Sequence, residues 1–437
     1  MVLKASTEPL PALAESLAPF AHHFIRSEGR EDLERYSTGL LSDLPRKNGD
    51  TIAAAIPGTN AQRLQELLTR IAWDEQAFNG QRVQWMCQEV CQGRGALLID
   101  DTGFAKQGQR TVGVSRQYSG SLGKVANCQV AVTGVYADAA VAWPVDVQLY
   151  LPQEWIDDST RSAQAGVPAE VVFQTKPQMA LAMVDRAEQW EVPYQVVVAD
   201  AGYGKDGPFL AGLEGRGKRY AVGVPCHFSV EVFGQAAQGS RRVDAVLKEP
   251  PRAAWTTVTW REGSQGWLRK KFLAIRAYRT VAGVRQQLGW LIGERPARGQ
   301  QGDWKYYFAN FPKATPLPTM VEWIHRRFHI EQFHQGAKQL LGWDEYQGRL
   351  WTGFHRHATI VMLTYSFLQW QEWCQRRQAP RRRGRPRAAF SPTAGSIPLL
   401  PGENAPGRDQ HLGQHGAGAI PETKTRQNII PTTHLTE

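Results

Sequence analysis

Cysteine is scarce in this sequence. The 437 residues include five cysteines, and no two of them form a C-x-x-C pair. This scarcity excludes a disulfide framework and a zinc ribbon, because both need cysteines at paired spacings. So few cysteines also fit the reducing environment of the cytoplasm. The five are Cys87, Cys91, Cys128, Cys226 and Cys374.

Long apolar runs are also missing. No stretch reaches the roughly 20 apolar residues that a helix needs to cross a membrane. Residues 1–16 lack the apolar core of a secretory signal. We therefore expect a cytoplasmic protein with no role in a membrane.

Acidic residues are outnumbered by basic ones. The chain has 51 lysines and arginines against 41 acids, so its formal net charge is +10. A basic protein suits a polyanionic partner, because neutralising phosphates gives affinity without reading a base sequence. Hydrophobic residues make up 42% of the chain, which is enough for a substantial core.

Residues 1–93 have the periodicity of helices. Apolar residues recur at helical spacing in two stretches, 13–24 and 64–71. Asn60 is placed to cap the second of these helices. We interpret this segment as a helical N-terminal domain and as a candidate DNA-binding region.

Residues 94–225 change to strand patterns. Their runs predict three neighbouring strands, a helix over 175–190 capped by Thr175, a fourth strand, a short helix and a fifth strand. This order predicts an α/β fold with an RNase H-like mixed sheet flanked by helices. The strand runs are ALLID (96–100), VAVTGVYA (130–137), AWPVDVQLYL (142–151), YQVVVAD (194–200) and YAVGVP (220–225).

The rest of the chain divides into three segments. Residues 226–312 hold four more strand-like runs and predict a β-rich insertion after the fifth strand. Residues 313–375 are interpreted as the C-terminal part of the sheet domain, with a late helix over 319–343 capped by Thr319 and a further apolar helix. Residues 376–437 begin with a basic run, continue rich in Gly and Pro, and are predicted to be disordered.

Three acids stand where a metal site could form. Asp101 closes the first strand, Asp200 closes the fourth, and Glu331 lies within the late helix. Such carboxylates can bind Mg²⁺ or Mn²⁺, and two ions can promote an in-line displacement at phosphorus. An aspartate at a strand end is also commonly a turn or cap residue. Asp100 is the alternative to Asp101, since neighbouring side chains on a strand point to opposite faces.

The late helix adds cations to one of these acids. In a continuous helix, Ile324, Arg327, Glu331 and Lys338 project within one narrow arc. An isolated Arg327–Glu331 pair would ordinarily be a solvated salt bridge. With Lys338 in the same stripe, the pattern could instead hold phosphates beside a metal-bound glutamate.

The motif WIHRRFHIEQFHQGAK resembles the signature helix of bacterial insertion-sequence transposases of the DDE class. That signature is tyrosine, arginine, glutamate and lysine at set spacing. Arg327, Glu331 and Lys338 match its last three residues, and Ile324 stands where tyrosine is usual. Upstream, LLIDDTGFAKQGQRTVGVSRQYSGSLGKVANCQVAV and VVVADAGYG resemble the first- and second-aspartate blocks of one such family. The resemblance covers about 95–375.

The resemblance implies a mechanism and partners. Its Asp-Thr match makes Asp101 the first catalytic residue, with Asp200 and Glu331 as the others and two Mg²⁺ or Mn²⁺ ions as cofactors. It implies metal-dependent DNA cleavage and strand transfer at one site. The expected partners are transposon ends and target DNA, bound by a homodimer or a larger synaptic complex associated with the bacterial nucleoid.

Weaker patterns concern basic residues and histidines. Lys106, Arg116 and Lys124 follow the first aspartate among glycines, in a flexible loop that is either a DNA-backbone contact or simply solvated. RRRGRPR (381–387) resembles an AT-hook, or it is a generic basic tail. Zinc is not expected, because no H-E-x-x-H accompanies the late histidines. These are His325, His329, His334, His355 and His357.

Two other functions stay open. The chain could be an RNase H-like nuclease that cuts DNA without integrating it. It could also be a DNA-binding relative whose catalytic site has decayed. The complete set of Asp101, Asp200 and Glu331 argues against decay, whereas Ile324 and the unusual tail keep it open.

Overall fold

A computed structural model describes residues 10–120, 123–263, 266–297 and 301–378. The described residues all lie within one compact unit. Residues 376–378 of the predicted tail belong to the final helix, Trp351–Gln378, so the boundary predicted at residue 376 is wrong. The rest of the tail, with the AT-hook resemblance, lies outside these ranges.

The N-terminal segment is helical, as predicted. Asn60 caps α4 by accepting a hydrogen bond from the backbone N–H of Arg63 at 2.9 Å, and Leu64 and Leu67 of α4 are fully buried. These helices pack into the same core as the last helix of the fold. They are α1 (Pro11–Leu17), α2 (Ser27–Leu41), α3 (Gly49–Ala55), α4 (Ala61–Thr69) and α5 (Glu75–Glu89).

The central sheet has the predicted RNase H-like order. Its five main strands lie side by side as β4-β3-β1-β5-β6, with β1 antiparallel to β3 and parallel to β5. The segment predicted to be a flexible basic loop contains one further strand, β2, which pairs with β3. The segment is therefore not wholly a loop. The strands are β1 (Gly95–Ala105), β2 (Ser115–Ser119), β3 (Lys124–Ala137), β4 (Ala142–Leu149), β5 (Tyr194–Ala199) and β6 (Tyr220–Val224).

Five helices lie between β4 and β6 in the chain. The long one, α8, begins as predicted: Thr175 accepts a hydrogen bond from Gln178 N–H, and the Gln178 side chain accepts from Thr175 N–H. Pro177 lies in its first turn, where a missing N–H costs nothing. The helices are α6 (Gln153–Asp157), α7 (Ser159–Gln164), α8 (Lys176–Gln189), α9 (Ala201–Gly204) and α10 (Gly207–Gly215).

The β-rich insertion extends the same sheet. Its last strand, β12, pairs with β6, so that the described residues form one sheet of 12 strands. The insertion contains β7 (Ser229–Val232), β8 (Arg241–Arg242), α11 (Val243–Lys248), β9 (Thr256–Gly263), β10 (Gly266–Val281), β11 (Val284–Arg295) and β12 (Lys305–Ala309).

The late helix is two helices, which corrects the sequence prediction. α12 (Leu317–His325) and α13 (Phe328–Leu341) meet at a turn, and a final helix, α14 (Trp351–Gln378), follows. Pro316, not Thr319, is the N-cap of α12. At the junction, His329 N–H donates to the carbonyl of Arg326. That i→i−3 bond tightens the turn and interrupts the arc expected for a continuous helix.

The sheet is covered on both faces. Along β1, Ala96 and Leu98 pack in one core with α13 and α14, whereas Leu97 and Ile99 pack in another core with α8 and α10. Alternate residues of a strand therefore meet different helices. This alternation decides on which face each polar residue of β1 is placed.

Candidate active site

A cavity of about 1070 Å³ opens where β5 ends beside the middle of β1. The prediction that Asp101 closes the first strand is wrong, because β1 continues to Ala105 through its pairing with β3. Acids from the middle of β1, from the end of β5 and from α13 line this cavity together, so the structure brings the three predicted acids to one place. The acidic lining residues are Asp100, Asp101, Asp200, Asp206 and Glu331, and the basic ones are Lys176, Lys205, Arg327 and Lys338.

Parallel pairing of β1 with β5 places Asp100 and Asp200 side by side. β1 and β5 are in register up to Ile99 and Ala199, so Asp100 and Asp200 follow at the same edge of the sheet. Asp200 is also the N-cap of α9, where its Oδ1 accepts from Gly202 N–H at 2.8 Å. That hydrogen bond fixes the carboxylate at the mouth of the cavity.

The neighbouring aspartates of β1 have different partners. Asp100 Oδ2 lies 2.6 Å from Arg327 Nη1 at the start of α13. Asp101 Oδ2 lies 2.8 Å from Lys176 Nζ at the start of α8. The two carboxylates thus face opposite sides of the sheet, as alternation requires. The assignment of Asp101 as the catalytic aspartate stays a prediction.

Arg327 joins two of the acids. Its Nη1 donates to Asp100 and its Nη2 donates to Glu331 Oε1. Burial raises the pKa of Asp100 to about 7, although the Arg327 guanidinium opposes that rise. For Arg327 itself, burial favours the neutral form, but Asp100, Glu331 and Asp200 outweigh it and raise the pKa. A cation therefore already stands between carboxylates from the sheet and from α13.

Lys338 lies two helical turns beyond Glu331 and reaches back to β1. Its Nζ donates to Thr102 Oγ1 at 2.8 Å and to the carbonyl of Gly103 at 2.7 Å. Burial lowers the pKa of Lys338. These bonds hold its ammonium at the cavity wall, where it could meet a phosphate.

The other predicted DNA contacts lie away from the acids. Lys106 Nζ donates to the carbonyl of Tyr346 at 2.6 Å, and Lys106 does not line the cavity. Arg116 and Lys124 are exposed on the hairpin of β2 and β3. That hairpin also lines the cavity through Tyr118. Binding of DNA by these three basic residues stays a prediction.

Sequence reasoning missed two cations of the cavity. Lys176 is the first residue of α8, and it follows the cap residue Thr175 directly. Lys205 follows α9, close to the second-aspartate block. The available signal was position alone, because each stands within a few residues of a recognised cap or acid.

The donor chemistry of the cavity suits a hard divalent cation. Carboxylate oxygens are the ligands that Mg²⁺ and Mn²⁺ prefer, and the Arg327 guanidinium between Asp100 and Glu331 shows that a cation fits there. Within the described ranges, no group of three or more His, Cys, Asp or Glu side chains is already arranged to hold a metal ion. Binding an ion would therefore require Arg327 to release a carboxylate.

The sheet order and the acid-lined cavity define an RNase H-like nuclease fold. More particularly, the chain belongs to the DDE superfamily endonuclease family, whose model matches residues 19–267. Asp100, Asp101 and Asp200 fall inside that match, and Glu331 lies beyond it.

The chain is also similar to a curated protein of Microchaete diplosiphon. The two are 27% identical over 314 residues, which cover 71% of this chain and 74% of the relative. The relative is described as "Probable transposase for insertion sequence element IS701". Among the described residues, no helix is long and apolar enough to cross a membrane.

Proposed function

We propose that the protein is a transposase that cuts DNA at the ends of its own element and joins the freed 3′ ends to a target. The observation that carries this proposal is the meeting of Asp200, Glu331 and the Asp100–Asp101 pair in one cavity of an RNase H-like sheet. Membership of the endonuclease family and similarity to a described transposase support it.

The cofactor in this proposal is Mg²⁺ or Mn²⁺, with two ions in the site. Asp200, Glu331 and one aspartate of β1 would hold them, and the sequence prediction names Asp101. When bound, the ions would activate the attacking oxygen and stabilise the leaving oxygen of the phosphodiester. The chain itself needs no covalent nucleophile for either cleavage or strand transfer.

The charges of the cavity fit a cation-dependent grip on DNA. Among the described residues, five acidic and four basic side chains line it, so this part of the chain gives the cavity little net charge. Divalent cations would make it positive and would favour a polyanionic substrate. In that state Arg327 would donate to phosphate oxygens, because the metal would take over part of its role beside Asp100 and Glu331. Lys338 and Lys176 line the same cavity.

The basic hairpin of β2 and β3 gives a second contact with DNA. Arg116 and Lys124 are exposed there, and Tyr118 of the same hairpin lines the cavity. We assign these cations to the DNA backbone near the cleavage site. Two copies of the chain, or more, would hold the two ends of the element in a synaptic complex.

The test is a cleavage-and-joining assay. The full chain is incubated with its flanking genomic DNA ends, a supercoiled target plasmid and Mg²⁺ or Mn²⁺, beside Asp200→Asn and Glu331→Gln. We expect metal-dependent cleavage and joining by the wild type, and neither product from the two variants.

Other outcomes identify the alternatives. Cleavage without joining would make the protein a nuclease that does not integrate DNA. Equal binding of the ends by all three proteins, with no product from any, would make it a DNA-binding relative with a decayed site.

A further inference from the structure

We propose that Asp100, rather than Asp101, supplies the first carboxylate of the catalytic cluster with Asp200 and Glu331. Asp101 is instead a positioning residue that holds the start of α8 through Lys176. This inference rests on the proposed function and makes its metal site specific to one side of the sheet.

The first argument is the unbroken alternation along β1. The pairing of β1 with β3 shows no register shift from Ala96 to Ala105. Ala96 and Leu98 point into the core that contains α13 and α14. Asp100 and Thr102 continue that face, and both have partners at or within α13. Asp101 continues the other face, which α8 and α10 cover.

The second argument is the orientation of β5. Val196 and Val198 point into the core shared with α13, so Asp200 continues the same face as Asp100. The parallel register then places the two carboxylates next to each other in neighbouring strands. Glu331 reaches them from α13 through the shared Arg327 guanidinium. Three carboxylates thus face one side of the sheet.

The third argument concerns the charge beside Asp101. Its carboxylate is paired with the Lys176 ammonium at 2.8 Å, and both side chains are about one quarter exposed, at 25% and 27%. A divalent ion at either aspartate would have to displace the paired cation, and at Asp101 the displaced Lys176 leaves only that one carboxylate. At Asp100, by contrast, the ion would replace a guanidinium that also neutralises Glu331.

The experiment measures metal affinity directly. Mn²⁺ is titrated into the full chain by calorimetry for the wild type, Asp100→Asn, Asp101→Asn and the reference Asp200→Asn. We expect Asp100→Asn and Asp200→Asn to weaken Mn²⁺ binding at least about tenfold, because even residues behind the ligands change metal affinity about 10–100-fold. Asp101→Asn should weaken Mn²⁺ binding clearly less than Asp100→Asn does, since the Asp101 carboxylate bonds Lys176 and none of the three proposed ligands.

The thermal unfolding of Asp100→Asn is compared with that of the wild type to show that it folds. A second variant tests the same assignment if Asp100→Asn does not fold. Asp100→Cys introduces a soft ligand that favours Cd²⁺. We expect Cd²⁺ to produce a thiolate-to-metal absorption band in Asp100→Cys that exceeds the band of the wild type, whose five cysteines are free, and no such increase in Asp101→Cys.

The outcomes separate the two proposals. If the wild type binds Mn²⁺ and Asp101→Asn loses it while Asp100→Asn keeps it, the assignment of Asp100 is overturned and the proposed function stands. A Cd²⁺ band that exceeds the band of the wild type in Asp101→Cys alone would overturn the assignment as well. If the wild type binds no Mn²⁺ even with DNA present, both proposals fail.

Discussion

Replacing Arg327 by glutamine tests the electrostatic arrangement of the metal-free site. The side chain bridges Asp100, whose side chain is 15% exposed, and Glu331, which is 52% exposed. The exposed half of the bridge is worth only about 0.3–0.5 kcal/mol. The buried half is a hydrogen bond between charged groups, worth about 1.5–3 kcal/mol. We therefore expect Arg327→Gln to lower the free energy of unfolding by about 2 kcal/mol at pH 8.

The loss should depend on pH in a defined direction. The folded pKa of Asp100 is about 7, above its ordinary value of 3.8. Protonation of Asp100 therefore stabilises the folded state. This stabilisation is complete below the unfolded pKa and is lost as pH rises through the folded pKa. Without Arg327 the folded pKa of Asp100 rises further. At low pH Asp100 is protonated and no longer pairs with a cation, so the variant loses less stability there. We expect the deficit at pH 5.5 to be clearly smaller than at pH 8.

The assay is urea unfolding followed by circular dichroism, with EDTA present to keep metal away. Arg326→Gln is the control for pH dependence, because the neighbouring arginine pairs with Glu322, whose side chain is 54% exposed, and its other hydrogen bonds go to backbone carbonyls, which do not titrate. Its loss should be the same at both pH values. An Arg327→Gln deficit below about 0.5 kcal/mol, the value of an exposed pair, would refute the reasoning. So would a deficit that does not change between the two pH values.

Three further predictions concern DNA binding, backbone contact and the buried framework. Arg116→Ala and Lys124→Ala should each lower the slope of log affinity against log salt for duplex DNA by about 1, and the double variant by about twice that, measured by fluorescence anisotropy; unchanged slopes would remove the hairpin from the interface. Gly204→Ala should destabilise the fold by several kcal/mol in thermal unfolding, because its Cβ would lie 1.8 Å from a backbone oxygen of β6. Gly215→Ala is the control and should be nearly neutral, because its Cβ would meet nothing within 4 Å. Arg82→Met should cost about 1–3 kcal/mol of unfolding free energy, since the fully buried guanidinium donates to groups in α5, β4 and α14 that would lose a partner. A loss under about 1 kcal/mol, the scale of a single hydrogen bond, would contradict that role.

Local patterns in the sequence predicted most of the elements. Asn60 and Thr175 predicted the starts of two helices, because a capping side chain accepts a hydrogen bond from a backbone N–H within three residues. The five apolar runs predicted the main strands, because a strand that is buried on both faces is apolar at consecutive positions.

Elements that depend on distant partners were missed. The strand β2 exists because Ser115–Ser119 pairs with β3, and its own residues have no strong strand pattern. The break between α12 and α13 coincides with two arginines that reach other parts of the fold, Arg326 to the carbonyl of Arg94 and Arg327 to Asp100. No glycine or proline marks that position, so the helical periodicity of the sequence predicted one continuous helix.

The sequence by itself determined the class of chemistry. Acids after two apolar strands, a glutamate with cations at helical spacing, and the motifs around them were enough to indicate a DDE-type enzyme. Only the tertiary structure decided which aspartate of the pair faces Glu331. The run ALLID is apolar at every position before its aspartate, because helices cover both faces of β1. A strand buried on both sides carries no polar alternation in its sequence, and so its facing is set only by the helices that pack against it.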